Sequence, residues 1–476
     1  MKAGGILEPH FVFPMRHPTY LLSAFLLILF AAPSHAQLSY PALAPTPTPL
    51  HESPALGDLV LIDGQAPEEI FGGRRREVSV GYDDELTVRT DKAGRGVVDD
   101  FHSNGRYLAL TDPISTRYTL AARSERTDIV ALLNEGHSSD IRFAGRSTEN
   151  AFELSFAGRR GVHWRIGAQE ARLAAGGESD IYRNVFHFFT DTPPYRFQDT
   201  QRAYWIGAAA ALRRGLWAEL RIEQMDHPSN ISLNDRVNGT SLTLPLGYRS
   251  QRYSGAIRLR LSEDWAGAAF VERWTGAGDG DVRREGNRRI GGASNEMSGD
   301  QTGLIFWRRL SGTRRLGLSY GEYHTIWSTH GVVPSGGDLS LGIPFVNAVR
   351  YDARTRVRER AAGVDWDHAI GAAHRLHLGY RWLEAAPYAE ANDSASLLII
   401  DQNGHTQTNT AALHAHVVQA AYSFPFHGLI GSLGATQAIP IADKKHAASS
   451  APSGPPAPKR TSYGGYRLDC AVAYPF

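Results

Sequence analysis

From Glu77 onward the chain alternates apolar and polar positions over short runs. In Ala151–Phe156, Phe152, Leu154 and Phe156 fall on one face, and Ala151, Glu153 and Ser155 on the other. After Gly158-Arg159-Arg160-Gly161 the pattern resumes, with Val162, Trp164, Ile166 and Ala168 set against His163, Arg165, Gly167 and Gln169. A period of two is the period of a strand, whose successive side chains point to opposite faces. Similar runs flank Arg213-Arg214-Gly215, Ser262-Glu263-Asp264, Ser311-Gly312-Thr313-Arg314, Gly371-Ala372-Ala373 and Phe424-Pro425-Phe426-His427, and more weakly Thr111-Asp112-Pro113. These are short polar, Gly or Pro turns of the kind that close hairpins.

The spacers alternate in length. Between the hairpins lie stretches 171–201, 225–250, 275–301, 324–354, 385–411 and 439–462, rich in Gly, Asn, Asp, Ser and Pro. Short turns at one end of the strands and long loops at the other predict an all-β, antiparallel, up-and-down transmembrane barrel, with short periplasmic turns and long extracellular loops. Counting gives a strand at 77–90, then hairpins 105–111/115–124, 150–157/162–170, 202–213/216–224, 251–261/265–274, 302–310/315–323, 355–368/374–384 and 412–424/428–438, and a last strand at 463–476. The total is about sixteen, with fourteen as the alternative, and both ends lie on the short-turn side.

The N-terminus adds an address. Arg16 and His17 precede an apolar run from Tyr20 to Ala32, then Pro33 and Ser34-His35-Ala36. A basic start, an apolar run too short to span a bilayer and a small-residue cleavage site make residues 1–36 a signal peptide, with Met15 as an alternative start. Residues 37–73 open with a Pro-rich stretch that predicts an extended periplasmic linker, leaving 74–476 for the barrel. Fifty Lys+Arg against 49 Asp+Glu argue against a nucleic-acid partner. A lone cysteine, Cys470, excludes an intrachain disulfide and a multi-thiolate metal site, and no cofactor or metal motif is present.

The chain ends on Leu468, Cys470, Val472, Tyr474 and Phe476, alternating with Arg467, Asp469, Ala471 and Ala473. This ending resembles the C-terminal signature of bacterial outer-membrane β-barrel proteins, although Pro475 departs from it. The resemblance implies a cell outer-membrane location in a Gram-negative envelope, contact with outer-membrane lipid and lipopolysaccharide, and recognition of Val472, Tyr474 and Phe476 by the barrel assembly machinery. Aromatics add two expected interfacial girdles: Tyr204, Trp205, Tyr253, Trp274, Tyr323 and Trp382 near the long loops, and Trp265, Tyr422, Phe424, Tyr474 and Phe476 near the short turns.

If the apolar faces meet lipid, the lumen receives Glu153, His163, Arg165, Glu219, Arg221, Glu223, Arg258, Arg260, Asp365, Asp367, Arg375, His377, Arg381, Arg467 and Asp469. Such a wall predicts a channel for passive diffusion of small polar solutes or ions. The third long loop, with Glu178, Asp180, Arg183, Asp191, Arg196 and Asp199, occupies the place of the lumenal constriction in sixteen-stranded porins, so the architecture resembles theirs, and a homotrimer would be consistent with it. Two other functions stay open. One is a plugged barrel acting as an export or assembly partner or a surface-binding protein. The other is an outer-membrane hydrolase, for which His414, His416, His324, Ser328 and His330 are candidate pieces, although no motif of those enzyme families appears.

Overall fold

The computed structural model describes residues 76–91, 97–115, 117–134, 140–158, 161–178, 194–234, 241–245, 247–284, 288–336, 346–370, 374–397, 400–409, 413–440 and 461–475. The expected signal peptide and 37–73 linker, together with Asp180, Arg183, Asp191 and Phe476, lie outside them.

Nineteen strand segments form one sheet, all paired antiparallel. They are β1 Glu77–Asp91, β2 Val97–Asp112, β3 Tyr118–Asn134, β4 Asp140–Ala157, β5 Val162–Glu178, β6 Pro194–Arg213 and β7 Leu216–His227. Then come β8 Ser229–Asn234, β9 Ser241–Pro245, β10 Tyr248–Arg260, β11 Trp265–Arg284, β12 Arg288–Ser311 and β13 Arg314–Gly336. The last are β14 Val346–Ile370, β15 His374–Leu397, β16 Ile400–Asn409, β17 Leu413–Phe426, β18 Leu429–Pro440 and β19 Thr461–Pro475. Three junctions are interruptions within one barrel strand. β8 continues β7 along β6, β9 leads into β10 along β11, and β16 leads into β17 along β15. The barrel therefore has sixteen strands, and β1 pairs with β19 to close it.

Every strand placed by alternation is present, and most run further toward the long-loop end than alternation shows. β14 covers 25 residues, roughly 80 Å of strand at the usual rise, where a bilayer needs only about 9–11 residues. Much of the expected loop sequence is thus barrel wall standing beyond the membrane. The stretch 171–201 is one case, since β5 runs on to Glu178 and β6 starts at Pro194. Glu178, Arg196 and Asp199 accordingly belong to strands rather than to a free loop.

Exposure alternates with the pleat and assigns the faces. Leu220, Ile222, Ile257, Val271, Leu304, Phe306, Val364 and Val418 are exposed on the outside, while Glu153, Glu223, Glu272 and Asp365 are buried on the inside. Apolar out and polar in is the arrangement a lipid-embedded barrel requires, because lipid cannot solvate a charge.

Candidate functional site: the inward wall

Antiparallel partners share a face, so register rows can be followed around the barrel. One row runs Glu153–Gly167–Trp205–Glu223–Arg252–Trp274–Gly299, from β4 to β12. Its members interlock. Trp205 lies across Gly167, where a Cβ would overlap the indole, and donates its N–H to Glu153 Oε2 at 3.1 Å. The Arg221 guanidinium caps the ring at 4.6 Å and also holds Glu223 at 2.5 Å. Arg252 reaches Glu272 at 3.2 Å and Glu223 at 3.7 Å, with Trp274 5.9 Å away. Trp274 lies over Gly299 and stacks on Tyr323 with centroids 5.4 Å apart.

Toward the short turns, Arg165 bridges Glu153 at 3.9 Å and Glu219 at 3.5 Å, and Glu219 also accepts from Arg258 at 3.1 Å. On β14 and β15, Arg381 grips Asp365 through both carboxylate oxygens at 2.6 and 2.7 Å, and His377 meets Asp367 at 2.8 Å. At the seam Arg467 lies 3.9 Å from Asp83. Low local dielectric strengthens such pairs, and each ion offsets the desolvation cost of its neighbour.

Amid these charges sits an apolar cluster of Ala256, Ala268, Phe270, Ile305 and Trp307. Phe270 covers Gly303, and Trp307 covers Gly317, whose added Cβ would stand 2.7 Å from the ring. The buried Trp307 indole N–H meets no acceptor among the described residues.

All fifteen residues expected in the lumen fall on the inner side of the pleat by register. Arg260 and Arg375 sit exposed at the short-turn end, away from the buried pairs. Of the expected constriction residues, Arg196 is exposed on β6, and Asp199 is buried beside His227, which packs edge-on against Tyr248. Glu178 ends β5. Val472 and Tyr474 face outward on β19.

The girdle needs correction. Tyr204, Tyr253, Trp265, Tyr422 and Tyr474 are exposed on the outside, but Trp205, Trp274 and Tyr323 point inward. Hydropathy alone cannot separate a ring meeting lipid from one laid over a glycine inside. The discriminating signal is a glycine opposite the ring in register, which requires the strand pairing. His414 and His416 also turn outward, stacking on Trp382 and Tyr380, and Tyr380 Oη lies 2.7 Å from His416 Nδ1. His324 faces outward, 3.6 Å from Asp300. Among the described residues no group of three or more His, Cys, Asp or Glu side chains is placed to hold a metal.

A closed sixteen-strand barrel with an apolar outer surface and a polar, layered inner wall defines a membrane-spanning β-barrel of the bacterial outer-membrane type. No family model and no curated protein matches the chain. Among solved structures it is similar to the toluene transporter TodX of Pseudomonas putida, at 9% identity over 91% of this chain and 96% of that one, with a TM-score of 0.40. It is also similar to a FadL homologue of Pseudomonas aeruginosa, at 10% identity over 84% of this chain and 90% of that one, TM-score 0.38. A bacterial polysaccharide outer-membrane secretin aligns at 7% identity over 84% of this chain and 98% of that one, TM-score 0.38.

Proposed function

We propose that the protein is an outer-membrane channel for small, uncharged solutes with an apolar, ring-sized body. The carrying observation is the inward apolar cluster of Phe270, Ile305 and Trp307, set in a wall whose buried charges are paired. Such a wall suits a mostly apolar solute better than a charged one. The inner charges favour this solute over ions. Glu153, Arg165, Glu219 and Arg258 form one chain of contacts, and Asp365 and Arg381 another, so their charges are balanced within the wall. Among the described residues the enzyme reading loses two of its candidate pieces, since His414 and His416 pack on outer-surface aromatics.

The test is entry of N-phenylnaphthylamine, an uncharged aromatic fluorophore, into cells with an intact outer membrane. Cells producing the protein should take it up faster than cells with an empty vector, and Trp307→Ala should change that rate while a polar dye stays excluded. Uptake equal to the empty vector, alongside faster entry of small ions or sugars, would overturn the proposal and favour an ion or polar-solute channel. Uptake of neither class by correctly inserted protein would overturn it in favour of a plugged barrel.

A further inference from the structure

Charge is unevenly placed around the short-turn mouth of the barrel. Arg213 and Arg214 stand at the β6–β7 turn, Arg260 ends β10, and Arg308, Arg309, Arg314 and Arg315 flank the β12–β13 turn. All are exposed except the half-buried Arg309. By sequence, residues 213–215, 260–264 and 308–315 contain two carboxylates, Glu263 and Asp264. A third, Asp367, lies opposite Arg315 in register and meets His377 at 2.8 Å. Pairing all three one to one still leaves four of these seven arginines. Arg260 donates to Ser262 O at 3.3 Å and Arg308 lies over the Trp265 ring at 5.2 Å, both uncharged groups. The turns beside the seam differ, since 112–118 holds Asp112 and Arg117 and 426–429 holds His427.

The chain itself supplies the opposite charge. Residues 37–73 hold Glu52, Asp58, Asp63, Glu68 and Glu69 and no Lys or Arg. Between Asp58 and Asp63 stand Leu59-Val60-Leu61-Ile62, an apolar run that gains by leaving water. This segment precedes β1, which starts at Glu77 opposite Thr111, at the same end of the barrel as the turns. The β12–β13 turn lies at least six strands from β1 whichever way round the sheet is followed. Sixteen strands about 4.8 Å apart and tilted by about 40° enclose a mouth about 30 Å across. The fourteen residues from Asp63 to Glu77 can extend to about 46–50 Å. Glu52, Asp58 and Asp63 can therefore reach the far arginines, whereas Glu68 and Glu69 stay nearer to Arg74, Arg75 and Arg76.

We infer that residues 52–63 dock in cis across the short-turn mouth, onto the arginine arc of the β6–β7 turn, β10 and the β12–β13 turn. Guanidinium–carboxylate pairs supply the contacts. Each exposed pair is weak alone, but the tether raises the local concentration of the acids so that several can act together. The inference is independent of what the lumen carries.

The experiment uses the intact protein purified from outer membranes, with Cys470→Ser, in vesicles of zwitterionic phospholipid. Gln65→Cys is paired with Thr313→Cys on the far turn or with Ser115→Cys on the near one, and disulfide cross-linking within one chain is measured. An undirected tether of twelve residues averages about 20 Å and so favours Ser115. Docking reverses the order, and Thr313 should cross-link at least about threefold more than Ser115. That preference should be lost in about 1 M salt, where charges act over only about 3 Å. It should also be lost with Glu52→Gln/Asp58→Asn/Asp63→Asn, which leaves every barrel strand unchanged, and fall with Arg308→Gln/Arg314→Gln. Heat-modifiability first confirms that each variant is folded. A Ser115 yield equal to or above that of Thr313 would overturn the inference, as would a preference untouched by salt and by the neutralised segment. Cross-links between chains would give the arc to a second copy, and a preference lost when phosphatidylglycerol is added would give it to lipid; either result overturns docking in cis.

Discussion

Trp205 and Glu153 are 52 residues apart and sit on strands that are not paired with each other, yet the indole N–H of one reaches the carboxylate of the other at 3.1 Å. Gly167 makes this possible. It stands between them in the same register row, and its missing side chain leaves the ring a path across β5. The same device, a ring laid over a glycine, recurs at Trp274 with Gly299, Phe270 with Gly303, and Trp307 with Gly317. Bulky inward residues are thus accommodated along the wall instead of projecting straight across the barrel.

A side chain at Gly167 should evict the indole. Gly167→Leu is expected to destabilise the barrel by about 1–3 kcal/mol, the usual cost of overpacking, and to break the bond to Glu153. Urea unfolding in lipid vesicles measures the loss. Introducing Trp205→Ala as well should recover part of it, whereas additive losses would show that the ring does not occupy that path.

The Asp365–Arg381 pair is buried on both sides, and Asp365 is only 1% exposed. Arg381→Met leaves the carboxylate without its main partner and should cost about 3–5 kcal/mol, because an uncompensated charge remains buried. Removing both charges with Asp365→Leu/Arg381→Met should cost less than Arg381→Met alone. A double-mutant cycle by chemical denaturation reads the difference, and equal losses would mean that His377 already compensates the acid.

Depth on the outer face can be tested on β7. Leu220 lies 67% exposed near the middle of the outward run Leu216–Ile222, while Ile222 stands at its upper edge. Leu220→Arg should cost about 2–4 kcal/mol and Ile222→Arg clearly less, following the depth dependence of charge on a lipid face. Equal costs would contradict the assigned membrane boundary.

The single cysteine serves as a built-in depth gauge. Cys470 is exposed between Leu468 and Val472, with Tyr466 and Tyr474 at the two ends of that outward run on β19. A nitroxide attached there should collide with oxygen far more often than with a water-soluble nickel complex. Power-saturation electron paramagnetic resonance provides the comparison, and strong nickel access would place β19 out of the bilayer.

The barrel was legible in the sequence because lipid and lumen impose opposite chemistry on successive residues. Phe152, Leu154 and Phe156 against Glu153 and Ser155 declare both strand and face. The pattern weakens above the membrane, where the outside is also wet. In β12, Ser294, Glu296, Ser298 and Asp300 face outward while Asn295 and Gln301 face inward, so no apolar contrast marks a strand. The inner charges were found by the same alternation, but their pairing was not. That Arg381 meets Asp365, or that Trp205 belongs inside, depends on register between strands, which single-strand periodicity does not contain. Residues 346–354 of β14 lie in a stretch that alternation alone assigns to a loop.

The closing pair joins Glu77 to Pro475, so the first and last strands of the wall are neighbours. Tyr466 and Asp84, 382 positions apart in the chain, come within 3.4 Å across that seam. Such a structure cannot be completed piecemeal from its beginning. Until β19 is present, both β1 and β18 carry open hydrogen-bonding edges, which are hazardous in water and costly in lipid. A chain truncated before Thr461 is therefore an unsealed sheet rather than a slightly smaller barrel.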